Sequence, residues 1–159
     1  MPWSYKETEI NAGIDQISPH GYTSISAGFN TTRHLFADEG RAGATKIVLL
    51  ISDGEQSAQS TCCAAPGKTA AQTAIDAANL AKADGITVFA WGFGRLVSAA
   101  TLEKIATDRS KAFLGEELGS LRILLAELQA TVCTAPPPTL PPPPQPPQPP
   151  SPPSPSPPP

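Results

Sequence analysis

The end of the chain most restricts what it can fold into, because 17 of the 24 residues in 136–159 are proline. Proline has no N–H group to donate, so this segment can form neither a helix nor a sheet ladder. Its composition favours a solvated, semi-rigid polyproline II rod. The sequence therefore predicts a folded domain over residues 1–134 and a proline-rich, disordered tail over residues 135–159.

Two apolar patterns alternate before the tail. Apolar residues spaced three and four apart indicate helices, in the segments Glu7–Ile17, Ser24–Ala37, Ala71–Ala81 and Leu118–Leu128. Short apolar runs bounded by turn residues indicate strands, in the segments Lys46–Ser52, Ile86–Gly92 and Lys111–Leu114. The first of these runs is continuous and β-branched, which is typical of a strand buried on both faces. Ser98 is placed to N-cap a short helix that runs through Thr107. Such alternation predicts an α/β fold with a parallel sheet and right-handed crossovers.

Two oxygen donors occupy loop positions that a parallel sheet brings together. Thr23 precedes one predicted helix, and Asp53 directly follows the strand that ends at Ser52. In a doubly wound sheet the carboxyl ends of neighbouring strands share a crevice where ligands gather. A hydroxyl and a carboxylate are hard ligands that suit Mg²⁺ or Mn²⁺. Each residue also has an ordinary structural alternative, Thr23 as a helix N-cap and Asp53 as the cap of the following turn.

The order and spacing of these segments resemble the von Willebrand factor type A domain from about Glu7 to Val132. The resemblance rests on three strings, Gly21-Tyr22-Thr23, Ile47–Ile51 with Ser52-Asp53-Gly54, and Gly85–Gly94 with Leu102–Ala106. It implies a doubly wound, Rossmann-like parallel sheet. It also implies a metal-ion-dependent adhesion site with Thr23 and Asp53 as ligands of Mg²⁺ or Mn²⁺. In that family a protein partner completes the metal shell with an acidic side chain, so the resemblance implies binding rather than turnover.

One part of the family's site has no counterpart in this sequence. The family's first strand ends in Asp-x-Ser-x-Ser, and the nearest string, Asp108-Arg109-Ser110, follows a helix pattern and continues to Ala112. The resemblance therefore implies a partial sheet, a chain that starts within its own domain, and an incomplete or degenerate metal site. The strand before Asp53 would then have an unpaired, apolar edge that favours aggregation or pairing with another chain.

Charge and composition exclude several classes of ligand and activity. The net charge is −3 and no basic cluster is present, so binding to nucleic acid or to an anionic membrane has no electrostatic basis. No run of 18 apolar residues predicts a membrane span. No nucleophile with a base, paired carboxylates or complete phosphate-binding loop is found, which predicts a protein that is not an enzyme.

The three cysteines leave the compartment open. Cys133, just past the last helix pattern, pairs with Cys62, Cys63 or a cysteine elsewhere if the compartment is oxidising, and free thiols in a cytosolic protein are the alternative. Spacing alone does not choose between these interpretations.

The tail gives two functional hypotheses. Its Ser-Pro repeats resemble the hydroxyproline-rich rods of plant and green-algal walls, which implies an adhesion module of the cell wall or extracellular matrix that binds matrix glycoproteins, given a signal peptide outside this sequence. The alternative is a cytosolic scaffold whose Pro-x-x-Pro runs bind SH3, WW or profilin-like partners.

Overall fold

The computed structural model describes residues 4, 6–18, 21–58, 63–116, 119 and 121–134, with side chains described as far as residue 130. The proline-rich segment lies outside these residues. The predicted tail and the boundary at residue 134 therefore stay predictions.

The described residues alternate between helix and strand along the chain, which confirms the α/β prediction. The helices are α1 (Glu7–Asp15), α2 (Ile25–Glu39), α3 (Ala70–Ala83), α4 (Ala99–Ile105) and α5 (Leu121–Thr134). The strands are β1 (Ile47–Gly54), β2 (Thr87–Leu96) and β3 (Ala112–Gly115). A short 3₁₀ turn, Arg109–Lys111, leads into β3.

The three strands form one parallel sheet in the order β1-β2-β3. Ile47 lies opposite Thr87, and Trp91 lies opposite Phe113. Parallel pairing of consecutive strands requires crossovers, which α3 and α4 provide. The carboxyl ends of all three strands consequently lie at the same end of the sheet, which is where Asp53 lies.

The prediction that the first strand is buried on both faces is wrong. Most residues of β1 are half-buried and Ile51 is 43% exposed, whereas Val88 to Phe93 of β2 are buried. The difference arises because β2 has a strand on each side, while among the described residues nothing pairs with the outer side of β1. Helix α1 contributes no buried residue either, so its isoleucines do not cover that edge.

The core lies where α3 and α4 pack against β2 and α2 packs against α3. Helix α3 contributes Ala74, Ala78 and Ala81, each 0% exposed, and their small side chains let it approach both α2 and the sheet closely. Ile105 of α4 and Val88 of β2 are the largest side chains that are fully buried. An ion pair between Arg33 and Asp84 (2.6 Å) joins α2 to the end of α3.

Several boundaries differ from the sequence predictions. Helix α1 ends at Asp15 rather than Ile17. Helix α5 is described from Leu121, and its predicted start at residue 118 lies outside the described residues. Cys133 lies within α5 rather than past it. Strand β1 continues through Asp53 to Gly54, so Asp53 stands in the irregular end of the strand instead of in a loop.

Candidate functional site

Thr23 and Asp53 lie beside the carboxyl end of β1. Thr23 and Ser52 line one groove of about 320 Å³ between α2 and the open edge of β1. Asp53 directly follows Ser52 and is exposed. Thr23 therefore lines this groove, and Asp53 lies next to it, one residue beyond Ser52.

The main chain of Thr23 is fixed to the loop that follows Asp53. The Thr23 N–H donates to Ser57 Oγ at 3.0 Å, and the Ser57 N–H donates to the Thr23 carbonyl at 2.9 Å. These reciprocal bonds join the start of α2 to the loop after β1, although the two segments are 34 residues apart. The loop that bears Thr23 therefore has a fixed position relative to the end of β1.

The pairing of β1 with β2 is irregular at Asp53. The register between β1 and β2 shifts between Ser52 and Gly54. The Ser52 hydroxyl donates to the Gly54 carbonyl at 2.6 Å and accepts from the Gly54 N–H at 3.3 Å. These bonds occupy Ser52 and leave the Asp53 carboxylate without a hydrogen-bond partner among the described residues.

Thr23 is not the N-cap of α2, and Asp53 does not cap a turn, so neither residue has the structural role that was its alternative. Ser24, not Thr23, occupies the N-cap position of α2, and it forms no side-chain cap bond. The Asp53 carboxylate caps no turn, because the Ser52 hydroxyl makes the bonds to Gly54. The side-chain oxygens of Thr23 and Asp53 are consequently free of the hydrogen bonds that hold the described fold together.

Ser24 is a further oxygen donor that sequence reasoning missed. Its Oγ is buried, has no hydrogen-bond partner in the described structure, and belongs to a residue that lines the same groove as Thr23. A buried hydroxyl without a partner is costly, so it marks a place where a ligand would be stabilised. The only sequence signal was its adjacency to Thr23.

The site offers the type of ligand atom that a hard divalent cation prefers, but too few of them for a complete coordination shell. Thr23, Ser24 and Asp53 offer oxygen atoms, which Mg²⁺ and Mn²⁺ prefer. Within the described ranges no group of three or more His, Cys, Asp or Glu residues could hold a metal ion. These residues can therefore supply only part of the roughly six-oxygen shell that Mg²⁺ requires.

The string most similar to the family's Asp-x-Ser-x-Ser motif, which begins at Asp108, has a structural role elsewhere in the fold. Asp108 accepts hydrogen bonds from Ser110 N–H at 2.9 Å and from the Lys111 ammonium. The bond from Lys111, followed by those from Ser110, lowers the pKa of Asp108. Asp108 precedes β3 and so lies at the end of the sheet where the strands begin. Asp53 lies at the opposite end.

Glu55 has a structural role in the loop after β1. Its Oε1 accepts from Ser98 N–H at 3.2 Å and from Thr101 Oγ1 at 3.0 Å. Ser98 itself caps α4 as predicted, with its hydroxyl accepting from Thr101 N–H at 3.3 Å. Glu55 therefore fastens the loop after β1 to the start of α4.

Behind the site, one glutamine links three segments. Gln56 is 5% exposed; its Oε1 accepts from the Ser26 N–H at 2.7 Å, and its Nε2 donates to the Cys63 carbonyl. Cys63 is disulfide-bonded and 3% exposed, and the side chain of its partner lies outside the described residues. The sequence left open whether the cysteines form a disulfide or remain free thiols, and the structure has a disulfide at Cys63.

Comparison with known proteins identifies the architecture. The model of the von Willebrand factor type A domain matches residues 3–127. The chain belongs to this family. A search among curated proteins found no match. None of the described helices of this type A chain is long and apolar enough to cross a membrane.

Solved structures of proximal thread matrix protein 1 from the mussel byssus have the same fold. One matches with a TM-score of 0.63 and 21% identity over 79% of this chain and 29% of that chain. A second crystal form matches with a TM-score of 0.63 and 27% identity over 80% of this chain and 32% of that chain. A third, described as having zinc in its metal-ion-dependent adhesion site (MIDAS) motif, matches with a TM-score of 0.62 and 21% identity. This chain therefore spans less than a third of the length of that protein.

Proposed function

We propose that this type A chain is a non-enzymatic binding module whose Thr23 and Asp53 take part in a divalent-cation site that receives an acidic side chain of a protein partner. The observation that carries the proposal is that the Thr23 main chain is locked to Ser57 while the oxygens of Thr23 and Asp53 are left unused by the described fold. The zinc-occupied motif of the mussel protein supports a metal at such a site.

The residues of the site have separate roles in this proposal. Asp53 contributes the charge that attracts a cation, and the Thr23 hydroxyl contributes a neutral oxygen. The N-terminus of α2, two residues after Thr23, has a partial positive charge that favours an incoming carboxylate. A bound Mg²⁺ or Mn²⁺ would supply a Lewis-acidic position for that carboxylate.

The first prediction is that this chain binds Mn²⁺ or Mg²⁺ no tighter than roughly millimolar, because so few protein ligands leave an ion mostly hydrated. Millimolar Mn²⁺ should broaden the NMR amide signals of Thr23 and Asp53 selectively. Asp53→Asn should remove the broadening, because it removes the only carboxylate of the proposed site.

Asp38→Asn is the matched control, since Asp38 is an exposed carboxylate near the far end of α2. It should leave the broadening at Thr23 unchanged. Submicromolar binding in a calorimeter would contradict the prediction of a partial shell, and broadening that persists in Asp53→Asn would remove Asp53 from the site.

We further propose that the module works in an extracellular matrix or cell wall, carried on its proline-rich tail. The disulfide at Cys63 favours an oxidising compartment, and the mussel protein is a byssus thread matrix protein. This location implies partners among matrix or wall glycoproteins. It favours the wall hypothesis over a cytosolic scaffold that binds SH3, WW or profilin-like proteins.

The second prediction concerns the tail in the native source. Residues 135–159 isolated from that source should contain hydroxyproline with attached pentose sugars, because wall rods of similar composition are modified in this way. Mass spectrometry of the proteolytic tail peptide measures this directly, with a peptide from α3 as the unmodified control. A bare tail would favour the cytosolic scaffold instead.

A further inference from the structure

We propose that Gln56 is the positioning residue of this site, holding the Thr23 loop in place beside Asp53 through its buried side-chain amide. The inference rests on the proposed cation site for its functional meaning. Its geometric part stands on contacts that do not involve a metal.

Gln56 replaces the missing N-cap of α2. The first N–H groups of a helix have no partner within the helix, and the hydroxyl of the cap residue usually accepts one of them. Ser24 makes no such bond. The Ser26 N–H instead donates to Gln56 Oε1 at 2.7 Å, across a separation of 30 residues. The start of α2 is thus capped from the loop after β1.

A carboxamide has the two groups that this position requires. Its oxygen accepts from Ser26, and its nitrogen donates to the Cys63 carbonyl. A carboxylate could satisfy the first contact only, and an apolar side chain neither. Because the residue is buried, loss of either bond leaves an unsatisfied backbone group away from water.

The buried bond also supports the weaker, exposed link at Thr23. The bonds between Thr23 and Ser57 are open to water, which competes for both partners. Gln56 adjoins Ser57, and Ser26 lies in the first turn after Thr23, so the buried bond sets the same two segments in register. Cys63 is held by its disulfide, which gives the amide a fixed acceptor on its other side.

The test compares Gln56→Met with Gln129→Met, an exposed glutamine on α5. In the metal-free protein, Gln56→Met should speed amide exchange of Ser26, Thr23 and Ser57 by roughly 10- to 100-fold, the equivalent of losing one buried hydrogen bond. Amides of β2 such as Val88 and Ala90 should keep their rates. With millimolar Mn²⁺, broadening should persist at Asp53 and fall at Thr23. The control should change none of these quantities.

Each other outcome has a definite meaning. Unchanged exchange at Thr23 and Ser57 in Gln56→Met would overturn the positioning role, and so would an equal acceleration in β2, which signals global destabilisation. Absence of Mn²⁺ broadening in the unaltered protein, together with faster exchange at Thr23, would refute the cation site and leave Gln56 as the anchor of the two loops. If Gln56→Met does not fold, Gln56→Glu keeps the acceptor for Ser26 but loses the donor to the Cys63 carbonyl. Exchange at Thr23 and Ser57 should then rise, and unchanged exchange there would overturn the proposal.

Discussion

Replacing Ile105 with alanine should lower the free energy of unfolding by about 2–5 kcal/mol, which is the usual cost of deleting a fully buried isoleucine side chain. Ile105 is 0% exposed and packs in the main core cluster. Small domains have a total stability of only about 5–15 kcal/mol. The substitution should therefore remove a large share of the stability of such a domain.

The chain around Ile105 has little freedom to close the cavity. The Lys82 ammonium donates to the carbonyls of Lys104 at 2.8 Å and Ala106 at 3.1 Å, on both sides of Ile105. The Thr107 N–H donates to the Val88 carbonyl at 3.0 Å, and the Val88 N–H donates to Thr107 Oγ1 at 2.8 Å. These bonds hold the end of α4 against β2 and α3, which places the expected loss in the upper part of the range.

Urea denaturation followed by tryptophan fluorescence measures the effect, because Trp91 is 5% exposed in the central strand. Ile123→Ala is the matched control, since Ile123 is 66% exposed on α5. Its midpoint should shift by an amount worth less than about 0.5 kcal/mol. Similar midpoints for the two variants would mean that the core described around α4 does not hold the domain together.

The features that sequence predicted correctly are those with local signals. Ser98 precedes α4 and caps it, as its position indicated, and the alanine-rich stripe of α3 is buried at the helical period. In each case the interacting groups lie within one or two turns of each other along the chain.

The contacts that shape the candidate site lack such signals. Gln56 bonds to Ser26 and Glu55 bonds to Thr101 across 30 and 46 residues, and no periodicity connects those positions. The burial of β1 was mispredicted for a related reason. An apolar run reports the polarity of a strand's own side chains, whereas burial depends on neighbours, and β1 has a strand on only one side among the described residues.

The open edge of β1 leads to the last prediction, which concerns alternate amides within one strand. The Lys46 carbonyl accepts from the Thr87 N–H at 2.9 Å, so Lys46 faces β2. Backbone groups of successive strand residues point to opposite sides. The N–H groups of Val48 and Leu50 therefore face β2, and those of Leu49 and Ile51 face the open groove.

Hydrogen exchange should show this alternation directly. The Leu49 and Ile51 amides should exchange roughly 100-fold or more faster than those of Val48 and Leu50, because an unpaired amide exchanges without any opening of the sheet. Amides of Val88 and Ala90 serve as controls, since β2 is paired on both sides. Strong and equal protection of Leu49 and Leu50 would mean that a further strand, from this chain or another copy, covers the edge of β1. In that case the sheet would not be partial, and the apolar groove between α2 and β1 would be part of a core rather than a surface that favours association.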